Sequence, residues 1–430
     1  MRNFLASQGF RKYFANTSWL LGERVLRMVI SLFVGIYVVR YLGPERFGLL
    51  SYSVSFVWLF SSLATFGLNN ILVRELVKSP EKRNNLLGTV FWLKVFGTFV
   101  MAISITVALQ FFEDDHQTYW MIFLIALGYL FQATNVIELY FQAQVQSKFI
   151  VRAQVAQILI TSLFKIYLIW VQAELIWFAF ALMLDQAVAA ALFLIIYRWE
   201  IDLFPFFTFH WKQAKQLMHA ALPLIFSGMM VLLYMKIDQV MLKEMLNPKA
   251  VGVYAAAVKL CEAWYFIPSA IMASLFPAII ESRKESEEIY EYRVQKLYEM
   301  MVWGSLIVAI PTTFLADWFI QVLYGANFQD AATVLKIYIW TFLFVSLGVA
   351  SSHWLVAENL EKYALVRSCL GAILNISLNW YLIPIYGITG AAYATLITQL
   401  FVSYLFFGIS KHTRNNFILS TRALSFRLIK

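Results

Sequence analysis

Charge is what this sequence has least of. Only 14% of its 430 residues are Asp, Glu, Lys or Arg, against roughly 25% in a soluble domain, so a water-facing surface of ordinary size cannot be built from it. Cysteine is almost missing as well. Cys261 and Cys369 stand far apart with no C-x-x-C spacing, which argues against a disulfide framework or a thiolate metal site. The five histidines include no H-E-x-x-H or comparable pair. No nucleophile-base pattern or phosphate loop is present either, so the sequence predicts no metal, no chemical turnover and no enzyme.

What fills the chain is apolar: 61% of residues are hydrophobic and 17% aromatic. They form runs of about 20 residues, each able to cross a hydrocarbon core of roughly 30 Å as a helix. This pattern predicts an all-α polytopic membrane protein with twelve spans, at approximately 17 to 39, 47 to 73, 86 to 110, 118 to 142, 149 to 172, 174 to 197, 217 to 243, 250 to 278, 297 to 323, 331 to 357, 362 to 384 and 387 to 410. Residues 1 to 16 lack the apolar run and small-residue cleavage site of a secretory signal, so the first span is expected to be retained.

The net charge of +9 raises the possibility of nucleic acid, and its distribution argues against it. With the N-terminus placed inside, 23 basic residues fall on inside segments, including Arg2, Arg74, Lys82, Arg283, Lys362, Arg367, Arg427 and Lys430. Four fall outside: Arg40, Arg46, Lys243 and Lys249. That asymmetry is the positive-inside pattern, and it predicts cytoplasmic termini.

An internal repeat accompanies it. LGPERFGLL (Leu42 to Leu50) aligns with LNPKAVGVY (Leu246 to Tyr254) at an offset of 204 residues, matching Pro44 with Pro248 and Gly48 with Gly252. Six spans precede the seventh, so the halves share an orientation, as in a parallel repeat. Two six-helix bundles are expected, over residues 1 to 205 and 206 to 430. The segment between them, with aromatics around Pro205 followed by Trp211, Lys212 and Lys215, reads as an interfacial linker with its rings at headgroup level and its lysines toward anionic lipid. The charged run Glu281 to Lys296 reads as a solvated cytoplasmic helix or loop, and the outside connections, such as Glu113 to Gln117, are short.

Ionisable groups inside spans are costly and mark candidate pathways. The basic set is Arg24, Arg27, Lys94, Lys165, Lys236, Lys259 and Lys336; the acidic set is Glu23, Glu138, Asp185, Asp238 and Glu262. Lys336 and Glu138, near span ends, are expected to snorkel to the headgroups. Glu23 with Arg27, and Lys259 with Glu262, have the spacing to meet on one helix face. Arg24 has no acidic neighbour on its own helix. Lys236 and Asp238 point to nearly opposite faces, so both need partners elsewhere. Either an interhelical salt-bridge network or an anion-binding cavity accounts for these groups, and the positive surplus favours the cavity. A guanidinium fork matches phosphate oxygens well.

The stretches Thr17 to Phe56, Tyr234 to Leu242 (YMKIDQVML), Val253 to Pro268 and Asn375 to Gln399 resemble bacterial O-antigen and polysaccharide flippases of the Wzx type, in the superfamily that includes multidrug exporters and the lipid II flippase. The resemblance implies two bundles around a central cavity, in the bacterial inner membrane. Through that cavity an undecaprenyl-diphosphate-linked oligosaccharide would be turned over, from the cytoplasmic to the periplasmic leaflet by alternating access. It implies membrane lipids and polysaccharide polymerase and chain-length proteins as partners, and no nucleic acid. Basic residues of the first and eighth spans serve the diphosphate in the similar lipid II flippase, which points to Arg24, Arg27 and Lys259 here, with Lys236 beside them. Glu23, Asp185, Asp238 and Glu262 are then candidates for charge pairing or for proton or sodium coupling, and Trp264 and Tyr265 for stacking on sugar rings. The chain lacks room for the extra pair of spans of the lipid II branch. A multidrug exporter, an O-antigen polymerase or ligase, and a non-transporting scaffold are the rival readings.

Overall fold

A computed structural model describes residues 8–112, 115–201, 204, 205 and 207–425, with the side chains of 8–18, 20, 21, 112 and 224 outside the description. The terminal cations Arg2, Arg427 and Lys430, the side chains of Arg11 and Lys12, and Glu113 and Asp114 of the short outer connection therefore lie outside the described residues.

Helices account for nearly all of the described chain. The first stretch, α1 (Gln8–Thr65), contains two expected spans as two helices that meet at Gly43, where the backbone is non-helical, φ 69° and ψ 174°, followed by Pro44. Glycine supplies the positive φ at no steric cost, and proline suits the first turn of the helix that follows. Together with α2 (Leu68–Lys78) it forms an apolar stretch, Gly22–Lys78, of 57 residues. At 1.5 Å per residue this is roughly 85 Å, more than twice the hydrocarbon thickness. Ten further segments are long and apolar enough to cross, so the eleven continuous stretches hold the twelve expected spans.

The remaining helices of the first half are α3 (Arg83–Phe112), α4 (His116–Gln132), α5 (Val136–Ala143), α6 (Ser147–Trp170) and α7 (Leu175–Glu200). A long helix, α8 (Trp211–Met245), leads into α9 (Pro248–Glu262), α10 (Phe266–Ser282), α11 (Glu287–Leu323), α12 (Ala331–Tyr338), α13 (Thr341–Ala357), α14 (Lys362–Tyr386), α15 (Ile388–Ser403) and the short α16 (Arg414–Leu424). Sequence-encoded caps start several of them. Asp115 accepts from the Thr118 amide at 2.9 Å, Ser286 from Ile289 at 3.1 Å, and Asn247 from Ala250 at 2.9 Å with Pro248 in the first turn.

The chain forms two compact units, one of residues 1–42 and 53–229 and the other of 43–52 and 230–430. Leu72, Leu87, Val136, Phe141 and Tyr197 anchor the buried core of the first. Tyr298, Val302, Leu347, Leu355 and Phe407 anchor that of the second. Large apolar side chains such as Phe111, Trp170 and Phe314 stay exposed, at 78, 79 and 81%, which is the outer surface a hydrocarbon solvent requires.

Within the second unit the two copies of the repeated motif touch. A Cβ on Gly48 would lie 1.8 Å from the Pro248 carbonyl oxygen, and one on Gly252 would lie 1.8 Å from that of Pro44. Each glycine lets the other segment's backbone approach, the close contact that small residues permit between membrane helices.

The charged run after α10 is partly a turn and partly the start of α11. Arg283 holds Glu287 at 2.9 and 3.0 Å and Glu358 at 3.1 and 3.2 Å. Hydrogen bonds that it donates to these carboxylates, first Glu287 and then Glu358, raise its pKa above the ordinary arginine value.

Candidate functional site

In the first unit, α1 carries Glu23, Arg24 and Arg27 in a single turn. Glu23 is buried and Arg27 binds it at 2.5 Å, the pair that their spacing predicted. Arg24 is exposed, and among the described residues it has no hydrogen bond or ion pair.

Lys94 of α3 is buried without a carboxylate partner among the described residues. Its ammonium donates to Asn69 Oδ1 at 2.6 Å and to Asn135 Oδ1. Asn135 closes the short 3₁₀ turn, Ala133–Asn135, that interrupts the fourth span between α4 and α5. Such interruptions inside a helix often sit at functional positions. Three residues on, Glu138 takes a hydrogen bond from Gln154 of α6 at 2.7 Å and lies in the fields of Arg27, Glu23 and Lys94. Glu138 therefore belongs to an internal polar cluster, and the expectation that it snorkels to the headgroups is corrected. One turn along α6, Gln157 holds Asp185 of α7 at 3.0 Å, and Lys165 pairs with the same carboxylate at 2.6 Å. Lys336, the other expected snorkeller, pairs with Asp317 at 2.7 Å.

The second unit concentrates its polar groups on α8, α9, α14 and α15. Lys236 of α8 reaches both carboxylate oxygens of Glu262 on α9, at 2.8 and 3.1 Å. This is the outside partner that Lys236 needed, and it takes the carboxylate that spacing assigned to Lys259. The Lys259 ammonium lies over the Phe47 ring, 5.9 Å from its centre. A 3₁₀ turn, Ala263–Tyr265, follows Glu262 and interrupts the eighth span, and the Tyr265 hydroxyl there meets Thr341 at 2.8 Å. Trp264 is 37% exposed and Tyr265 packs parallel to Phe342.

Asp238 is buried and lies in the field of Lys236. Its carboxylate accepts from the Tyr254 hydroxyl, from Thr395 at 3.3 Å and from the Gln239 amide at 2.7 Å. One turn along α15, Thr398 accepts from Asn375 at 3.3 Å, and Asn375 accepts from Asn379 at 2.9 Å. The Asn379 Oδ1 oxygen is buried with no hydrogen bond. This is an oxygen-rich cluster with one negative charge, the donor chemistry of a hard cation. No group of three or more His, Cys, Asp or Glu side chains gathers among the described residues.

Arg367, near the start of α14 and counted with the inside segments by its charge, is buried. It donates to Ser352 at 3.0 Å and lies over the Phe407 ring, while among the described residues its Nη1 has no hydrogen bond. The amides Asn69, Asn135, Gln154, Gln157, Asn375 and Asn379 carry no formal charge, so a reading of ionisable groups does not reach them. The signal was available: Asn375 and Asn379 stand four apart in an apolar helix, where amides are costly unless partnered.

Comparisons with known proteins agree with this architecture. Over 99% of its length the chain is 23% identical to stage V sporulation protein B of Bacillus subtilis, covering 88% of that protein. A 191-residue stretch, 44% of the chain, is 24% identical to 40% of the probable low-salt glycan biosynthesis flippase Agl15 of Haloferax volcanii. In three dimensions it resembles the inward-facing form of a multidrug resistance MATE family transporter (TM-score 0.74, 13% identity, 96% of this chain and 100% of that one). It also resembles the inward closed form of the lipid II flippase MurJ (TM-score 0.53, 14% identity, 96 and 91%). These likenesses give the fold: helices alone, in two bundles. Residues 13–283 match the model of the polysaccharide biosynthesis protein family, and so the chain, a multi-pass membrane protein, belongs to that family.

Proposed function

We propose that this protein is a flippase that carries an undecaprenyl-diphosphate-linked oligosaccharide, the repeat unit of an O-antigen or other surface polysaccharide, from the cytoplasmic to the periplasmic leaflet by alternating access. It would work in a bacterial cytoplasmic membrane with both termini inside. The observation that carries this reading is Arg24. Arg27, Lys165 and Lys236 are bound by carboxylates and Lys94 by two amides, while Arg24 is exposed and, among the described residues, makes no hydrogen bond or ion pair. A fork of donors within a membrane span suits a diphosphate. Arg27, Lys236 and Lys259 are the supporting cations, the first two already balanced by Glu23 and Glu262 and released when the substrate competes for them. Asp238 is the coupling group, for a proton or a sodium ion, since Glu23, Asp185 and Glu262 are engaged by basic partners. The protein moves its substrate and performs no chemistry on it.

Deleting the gene in its host tests the function. Lipid-linked oligosaccharide should accumulate on the inner face of the membrane and surface polysaccharide should fall. Normal surface polysaccharide with no accumulation refutes the flippase reading. Loss of resistance to cationic drugs in the same strain would favour the multidrug exporter instead.

A further inference from the structure

A second place in the first unit has the makings of a ligand site, away from the buried charges. Where the turn after α2 meets the start of α8, a cavity of about 200 Å³ opens to the surface. Arg74 and Lys82 supply positive charge, and Ser79, Gln213 and Gln216 supply neutral donors and acceptors. Its one carboxylate, Glu75, takes only Nε of Arg74, at 3.1 Å. The Lys82 ammonium has no hydrogen bond or ion pair among the described residues. Ile71, Leu86 and Leu217, 4, 2 and 5% exposed, back the cavity with the buried core.

The walls are fixed to one another. Thr208 donates to the Asn84 carbonyl at 2.7 Å, and the His210 amide donates to Thr89 at 3.1 Å, so the lead-in to α8 is fastened to the first turns of α3. The depth is marked by rings. Phe207, Phe209 and Trp211 are 99, 42 and 75% exposed, as expected of side chains at headgroup level, on the face that the charge asymmetry assigns to the cytoplasm.

We infer that this cavity binds the phosphate of an anionic phospholipid headgroup, with Arg74 and Lys82 on the phosphate oxygens and the two glutamines on the polar headgroup, at the depth that the exposed rings mark. A soluble phosphate has the same charge chemistry and makes no use of that depth. The occupant would tie the turn between α2 and α3 to α8, the helix whose first part belongs to one unit and whose residues from 230 onward belong to the other. Pro223, inside α8, omits one backbone hydrogen bond between the cavity and that crossing. Holding the cavity end of α8 would make protein behaviour sensitive to lipid composition, independently of which substrate is flipped.

The test is native mass spectrometry of the full-length protein in detergent, with phosphatidylglycerol or phosphatidylcholine added. Wild type should retain phosphatidylglycerol preferentially. Arg74→Gln/Lys82→Gln should weaken that retention about tenfold, the loss of one or two charge-assisted contacts. Lys411→Gln/Arg414→Gln, which removes the same amount of exposed charge in the second unit, should leave it unchanged. Equal retention by wild type and the cavity variant overturns the site, and equal loss in the second-unit variant reduces it to diffuse surface attraction. Displacement of the lipid by inorganic phosphate alone would overturn the lipid assignment. If the double variant does not fold, Lys82→Gln alone, at an exposed position, decides the question by the same comparison.

Discussion

Lys236 and Glu262 face each other across α8 and α9, with the ammonium 2.8 Å from one carboxylate oxygen and 3.1 Å from the other. Removing either partner takes away the carboxylate or ammonium that the other holds within the span. Glu262 keeps 29% of its side-chain surface, so the cost falls between those of exposed and buried pairs, roughly 1 to 3 kcal/mol. Lys236→Met and Glu262→Leu should each lower the thermal midpoint in detergent, and the double variant should recover most of the loss. Additive losses in the double-mutant cycle would show that the pair is not coupled.

Arg24→Ala should abolish flipping while the protein still inserts, and Arg24→Lys should restore part of it, because charge returns without the planar fork. Loss of a charge-assisted contact of about 1.5 to 3 kcal/mol corresponds to binding of polyprenyl diphosphate weaker by about ten- to a hundredfold. Complementation of the deletion strain, together with diphosphate binding to purified protein, checks both. Full activity of Arg24→Ala would remove the diphosphate clamp.

Asp238→Asn should uncouple transport. The substitution keeps the shape that meets Tyr254 and Thr395 and removes the negative charge that a proton or sodium ion would neutralise. In proteoliposomes the wild type should respond to an imposed proton or sodium gradient, and the variant should run at one rate with or without it. Persistence of the full gradient response would move the coupling group elsewhere.

Gly48→Ala and Gly252→Ala should destabilise by similar amounts, about 1 to 3 kcal/mol each, since either Cβ meets a proline carbonyl that cannot turn away. Thermal denaturation in detergent reads this directly. A variant with unchanged stability would show that the contact of the two motifs is loose.

Arg367→Met should be neutral or stabilising in the same assay. The guanidinium is buried, has one hydrogen bond and a ring contact, and leaves Nη1 unsatisfied, so an apolar side chain of similar length relieves a desolvation cost. A large loss of stability would mean that the Ser352 and Phe407 contacts outweigh it.

The amino-acid sequence determined, by itself, that this protein lives in a bilayer, where its helices run, and where two motifs repeat. Lipid permits only closed hydrogen-bonding structures, and twelve apolar runs of the right length leave no alternative to a helical bundle. It also determined Glu23 with Arg27, because four residues of helix put both on one face. Partners on different helices were beyond it. Periodicity reports which face a side chain occupies and says nothing of what that face meets. Glu262 holds Lys236 of another helix, Glu138 turned inward to Gln154, and Arg367 is buried against Ser352 and Phe407. Those outcomes were decided by tertiary structure, since a charge in a low-dielectric interior takes whichever partner packing brings within about 3 Å.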